Sequence, residues 1–469
     1  MRAIRKVVVL GANGTMGSGC GAVFAGRGIS TVFLARTIEK AHAGAMRAAQ
    51  LLKLDAPPAS ISCGTYSADL ETAVADADLV FEAVAEDLAT KRAMLAALED
   101  LRPVDTIVAS ASSCLSIAGI CAERSSRFRR NFVGIHFFNP ATSIVGCELI
   151  AHRGTDPGVI AVVRDFLASA LGREVVETAD RPAFAGNRVG FKVLNEIAQL
   201  AEHHGVAYMD QLVGTHSGRA LPPLATIDLV GWDVHKAIVD NLWNRTYDTA
   251  HDSFRLPAYM QRGIDRGHLG RKTRDRGGFF RLEGKGADAR QLVLDPATDD
   301  YRPLAEVATA MPPIVEHMQA AIRLGPTTGY RGAIDALCRA QCREAAVLRG
   351  IMLGYISYGL GLVGEVVERP RDVDRIMGFG FLWAPPSVLV DAIGAARTIT
   401  LLDQASLPIP AVVLDAARHQ RPLFNEPAVD HSRFFAVAAP SARPARVERP
   451  AVRVERHSSP SVPLVSDTR

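Results

Sequence analysis

A β-branched run, Lys6-Val-Val-Val-Leu10, leads without a break into Gly11-Ala-Asn-Gly14-Thr-Met16-Gly17 and then into a helix of small residues ending near Gly28. A strand that turns into a helix through glycines lets backbone N–H groups approach a ligand closely, and the helix N-terminus adds partial positive charge. That combination suits a pyrophosphate. The context strengthens the reading, because the loop heads an alternation of short apolar runs with helical stretches up to about Glu177: VVVL, TVFL, LVFEAV, TIVAS, FVGIHFF and EVVE. Such alternation specifies a mostly parallel sheet with helices on both faces, an α/β fold of the Rossmann-type doubly wound kind. Gly11, Gly14, Met16 and Gly17 are the expected phosphate-loop residues.

The loop departs from the usual dinucleotide pattern in two ways. It reads G-x-x-G-x-x-G, one residue longer than G-x-G-x-x-G, and the second strand, TVFLART, ends in Ala35 and Arg36 where an acid would accept the ribose 2′-OH. An arginine there tolerates a 2′-phosphate; the alternatives are stacking on adenine or pointing to water. NAD is the expected cofactor, with NADP open.

From about Arg181 the pattern changes to long helical segments, beginning AFAGNRVGFKVLNEIAQLAEHHG, and part of this region occurs twice. Asp210, Pro222-Pro223, Asp228 and Gly231 recur as Asp374, Pro385-Pro386, Asp391 and Gly394. A Glu-Ile-Ala step at Glu196 and a Glu-Ala-Ala step at Glu344 lie upstream of each copy. The expected organisation is a dinucleotide-binding domain over 1–183, a first helical domain over 184–283, a linker with a short strand pair over 284–326, a second helical copy over 327–420 and a Pro/Arg-rich, disordered tail over 421–469. The uncharged stretch Gly350–Gly364 is too short to cross a bilayer and reads as a buried helix. Seven cysteines without metal-ligand spacing fit reduced thiols in the cytoplasm, and a formal net charge of +3 over 469 residues gives no reason to expect nucleic acid. The N-terminus reads as a first strand, unlike a signal peptide.

The fifth and sixth apolar runs lead into Ala109-Ser-Ala-Ser-Ser-Cys114 and Gly134-Ile-His-Phe-Phe-Asn-Pro140, both at C-terminal strand ends, the edge where open parallel sheets bind ligands. Glu148 follows His136 by 12 residues, enough to return on a neighbouring strand. A histidine held by a carboxylate has a fixed tautomer and greater basicity, which suits removal of an alcohol proton as hydride leaves the same carbon. Taken alone, a histidine in an apolar strand is more often a satisfied core residue.

In this order, LGANGTMGSG, VFEAVAEDLATK, SASSCLSI, IHFFNP, Glu148, AFAGNR, PPLATIDLVGWD and GHLGRKTRDRGGFF resemble the 3-hydroxyacyl-CoA dehydrogenase family over roughly residues 5–400. The resemblance implies an oxidoreductase that interconverts an L-3-hydroxyacyl-CoA and its 3-oxo form with a nicotinamide cofactor. It implies His136 as general base, Glu148 as the carboxylate that orients it, Ser113 as a hydrogen-bond donor to the substrate oxygen, and Asn187 as the amide that fixes the acyl group. Glu86 and Lys91 correspond to cofactor-contacting positions. Ala111 and Ser112 replace the family's usual Asn-Thr, and the segment between the second strand and Glu82 is shorter than the family's CoA-contacting helical tail. The expected partner is therefore an acyl-CoA or an acyl carrier protein thioester, with no nucleic acid and no membrane, and the expected assembly a monomer or homodimer. Two further readings stay open: an NADP-dependent dehydrogenase of a carrier-protein thioester or small hydroxy acid, and a non-catalytic nucleotide-binding protein. No crotonase-like segment is expected ahead of the glycine loop, and only the first helical copy carries Asn187-Arg188, so the second reads as structural.

Overall fold

A computed structural model describes residues 3–284, 289–307, 310–323 and 328–424. The N-terminal part is one eight-stranded sheet in the order β3-β2-β1-β4-β5-β6-β7-β8. Its strands are β1 (Lys6–Leu10), β2 (Ser30–Ala35), β3 (Ile61–Thr65), β4 (Leu79–Glu82), β5 (Ile107–Ser110), β6 (Phe132–Phe137), β7 (Gly146–Ala151) and β8 (Glu174–Ala179). The first six run parallel, whereas β7 pairs antiparallel with β6 and β8 runs parallel to β7. The central strands are buried on both faces, which is why Val7 to Leu10 reads as an unbroken apolar run. Helices α1 (Thr15–Ala25), α2 (Ile38–Leu51), α3 (Tyr66–Val74) and α4 (Leu88–Leu101) make the crossovers. Side chains start three of them: Thr37 accepts from Lys40 N, Thr65 from Ala68 N and Asp87 from Thr90 N.

The C-terminal part is mainly helical. Both copies contribute to one hydrophobic core, which runs from Ala183 through Trp232, Tyr330 and Tyr355 to Val413. The expected linker, 284–326, contains the antiparallel strand pair Arg290–Leu294 and Tyr301–Pro303, and Phe280–Glu283, just ahead of it, completes a three-stranded sheet. It also holds the helix Pro313–Ile322, which packs on Thr328–Arg339 of the second copy. The second copy reaches Phe424, and the remainder of the expected disordered tail lies outside the described residues. Arg343–Gly361, which contains all but the last three residues of the uncharged stretch, is a largely buried helix, and among the described residues no helix is long and apolar enough to cross a membrane.

The repeat recurs as hydrogen bonds. Asp210 accepts from Leu224 N and Ala225 N at the start of one helix, and Asp374 accepts from Ser387 N at the start of its counterpart. Asp228 accepts from Phe279 N and Phe280 N, and Asp391 from Leu423 N and Phe424 N. The Glu196 and Glu344 steps do not correspond, since one lies mid-helix in Gly186–His204 and the other in the first turn of Arg343–Gly361. The matching positions are Asn195, which donates to the carbonyl of Arg255, and Ser357, which donates to that of Pro408, each two residues before a proline that starts a helix.

His235 is fully buried, its Nε2 bonded to Asn195 Oδ1 at 2.9 Å and its Nδ1 without a hydrogen-bond partner among the described residues. Burial lowers its pKa to about 3 and that of buried His216 to about 4, against an ordinary 6.5. Between these values and 6.5 the unfolded chain binds more protons than the folded one, so stability falls as pH drops through that window. The slope is up to about 1.4 kcal/mol per pH unit for each group. Urea denaturation from pH 7 to pH 4 is expected to show this loss, and His235→Gln, which keeps the bond to Asn195, to flatten it.

Candidate active site

The glycine loop occupies the C-terminal edge of β1. Gly11 has φ +76°, and a Cβ there would lie 2.3 Å from the Ala83 carbonyl oxygen; one on Gly17 would lie 2.2 Å from the Gly11 carbonyl oxygen. Only glycine lets loop, helix and β4 close this tightly, and the result is a backbone cradle at a helix N-terminus that fits a pyrophosphate. Gly14 caps α1, and Met16 in its first turn is half-buried. Gly11 N donates to the Tyr66 hydroxyl at 2.7 Å, a contact with no signature in the sequence. Arg36 is exposed just beyond β2.

Glu86 and Lys91 belong to a buried ionic network beside the glycine loop. Lys91 is 1% exposed and lies 2.8 Å from Glu82 and 3.3 Å from Glu86. Glu82 also accepts from Ser110 Oγ, and Glu86 from Ser112 Oγ, Ser113 N and Cys114 N. Burial alone would raise the Glu86 carboxyl, but Lys91 and these donors bring it below the ordinary range. The network thus fixes the turn that carries Ser113, whose Oγ makes no hydrogen bond among the described residues. Burial, and then Glu86, pushes the neighbouring Cys114 thiol up to about 12, so it stays protonated.

His136 and Glu148 face each other directly across the antiparallel β6–β7 pair. Nδ1 of His136 is 2.7 Å from Glu148 Oε2, and both side chains are buried. The other carboxylate oxygen accepts from Ala185 N and Gly186 N at 2.9 and 3.0 Å. A carboxylate engaged this way is a hydrogen-bond acceptor for Nδ1–H, and the pairing turns the other ring nitrogen, Nε2, away from it. Nε2 lies 3.5 Å from Asn187 Nδ2, which also donates to the Ser113 carbonyl at 3.2 Å. The structure therefore gathers Ser113, His136, Glu148 and Asn187 at one place, with Phe138 and Phe184 against the imidazole ring at centroid distances of 4.8 and 5.8 Å.

Sequence reasoning missed what aims the two backbone donors at Glu148. Ala183 and Phe184 both have left-handed backbone, φ +56° and +55°, immediately before Ala185. Such a conformation costs on the order of 1–3 kcal/mol per non-glycine residue and persists only where the surroundings over-determine it. No glycine or asparagine marks the turn. Asp180, which accepts from Ser116 Oγ, Ile117 N and Ala118 N, ties the same crossing to the Ser113 turn. A cavity of about 650 Å³ among Asp210, Arg271, Arg274 and Phe280 belongs to the first helical copy, and none of the four gathered residues lines it.

Residues 6–181 match the family model for the 3-hydroxyacyl-CoA dehydrogenase NAD binding domain, and residues 184–279 match that for the family's C-terminal domain. A probable 3-hydroxyacyl-CoA dehydrogenase of Bacillus subtilis is 28% identical over 87% of this chain and 53% of its own length. The chain thus spans about half of that relative. A probable 3-hydroxyacyl-CoA dehydrogenase of Deinococcus radiodurans is 32% identical over 59% of this chain and 83% of its own length. The crystal structure of 3-hydroxybutyryl-CoA dehydrogenase from Escherichia coli superposes with a TM-score of 0.63 at 20% identity, covering 89% of this chain and 99% of that one, so the shared fold includes the second helical copy.

Lys91→Met is expected to destabilise the protein by about 3–5 kcal/mol in chemical denaturation, because two carboxylates at the edge of β4 lose their buried counter-charge. Glu86→Gln, which keeps the Ser112 contact, is expected to cost less.

Proposed function

Because this chain belongs to the 3-hydroxyacyl-CoA dehydrogenase family, we propose that it interconverts an L-3-hydroxyacyl-CoA and the corresponding 3-oxoacyl-CoA in the cytoplasm, with His136 as general base. The observation that carries the reading is the His136–Glu148 pair, which holds Nδ1 on the carboxylate and turns Nε2 towards Asn187. The family's nicotinamide cofactor, when bound, accepts or returns the hydride at C3, and the glycine cradle suits its pyrophosphate.

In the oxidising direction Nε2 takes the 3-hydroxyl proton as hydride leaves C3. The imidazolium so formed is stabilised by Glu148 through Nδ1–H, while Glu148 itself keeps its two backbone donors. In the reducing direction the imidazolium returns the proton to the oxygen. The uncommitted Ser113 hydroxyl supplies a donor to that oxygen and the Asn187 amide orients the acyl group, so the reacting groups meet without a separate search for alignment. Glu86 and Lys91 serve the cofactor indirectly, by fixing the Ser112–Cys114 turn.

One observation favours a carrier-protein thioester as a second reading. Between β2 and β4 the chain forms only α2, β3 and α3, with no further helical pair in the place of the family's CoA-contacting tail.

Purified protein is expected to reduce acetoacetyl-CoA with a reduced nicotinamide cofactor, and His136→Gln to lower kcat by about 10³-fold or more while cofactor binding persists. Wild-type-like turnover by the variant would contradict the assignment. Turnover only of an acetoacetyl carrier protein would establish the second reading.

A further inference from the structure

The adenosine end of the dinucleotide site lies where the glycine loop, the end of β2 and helix α2 meet. Ala12 N bonds to the Leu34 carbonyl at 3.2 Å, which seats the loop on β2. At Gly44, α2 closes so tightly on the loop that a Cβ there would lie 2.3 Å from the Ala12 carbonyl oxygen. One turn further along, Arg47 Nη1 donates to the carbonyl of Asn13, the residue that makes this loop longer than G-x-G-x-x-G.

At this corner β2 ends in Ala35-Arg36-Thr37, with no carboxylate to accept a ribose hydroxyl. The one acid of the turn, Glu39, lies in the first turn of α2 and is exposed. Arg36 makes no ion pair among the described residues. Its charge is close enough to Tyr66, whose hydroxyl receives the Gly11 N–H, for the two to interact. Arg36 thus stands beside the glycine loop as an unpaired guanidinium, with Lys40 and Arg47 on the adjoining helix.

We propose that this corner is built for a ribose 2′-phosphate, so that the protein prefers NADP(H) to NAD(H), with Arg36 as the principal contact and Arg47 in support. A guanidinium matches phosphate through paired N–H donors, and a charge-assisted bond of this kind is among the stronger polar contacts. A ribose diol facing Arg36 finds no acceptor from the β2 terminus, so the same residue that favours the phosphate gives the unphosphorylated cofactor nothing in exchange. The proposal rests on the dinucleotide site of the preceding reading and adds its specificity.

The test is equilibrium binding to the full chain, by calorimetry, of NADPH and NADH and of two fragments without nicotinamide, adenosine 2′,5′-bisphosphate and ADP. Expected is at least about tenfold tighter binding of NADPH than NADH, with the same order for the fragments, corresponding to one charge-assisted contact. Arg36→Asp is expected to remove or reverse that order, and an unchanged thermal melt shows that the variant folds. NADH binding as tightly as NADPH, or a preference that persists in the variant, overturns the proposal and leaves the dehydrogenase reading standing. Binding of neither dinucleotide overturns the site itself.

Discussion

Everything at the centre of this molecule is arranged around one buried carboxylate. Glu148 sits on the strand that reverses the sheet, and its two oxygens face different halves of the protein, one receiving Nδ1–H of His136 and the other two backbone N–H groups at the head of the Gly186–His204 helix. The interaction orients the imidazole, joins it to the helix that follows the left-handed residues Ala183 and Phe184, and lies next to Asn187, whose amide is beside Nε2. A buried acceptor left with unpaired donors is expensive, so the three bonds form or fail together.

A second junction lies one residue along the same helix. Arg188 reaches Asp248 in its own copy and Tyr358 and Glu365 in the other. Burial works against its charge, yet these partners hold it above the ordinary arginine value. The second copy is therefore more than an appended repeat. Its segment Met377–Phe381 brings Phe381 against Phe138, whose ring lies on His136, so the wall behind the imidazole is completed from within one chain.

Much of this was legible in the sequence because periodic burial and glycine geometry leave local marks. The alternation of apolar runs with helices, the cradle at Gly11 and Gly17, and the return of Glu148 opposite His136 after 12 residues all follow from local rules, and the resemblance supplied Ser113 and Asn187. The rest depends on tertiary context. Lys91 looks like a surface lysine until Glu82 and Glu86 bury it, and the left-handed pair Ala183-Phe184 carries no turn residue. The two helical copies contribute to one shared core, which no local spacing reveals. The matched positions Asn195 and Ser357 differ in residue type, so the bond that relates them was invisible to sequence comparison, while the misleading Glu-x-Ala steps were visible.

The most direct test of the account is a double-mutant cycle on kcat/KM for acetoacetyl-CoA reduction, using His136→Gln, Glu148→Gln and the pair. If Glu148 acts through the imidazole, removing it from a protein that already lacks His136 costs little, and the double variant is expected to lie within a few-fold of His136→Gln alone. Losses that multiply independently would mean that the carboxylate serves catalysis by another route, and would contradict the central place given to the pair.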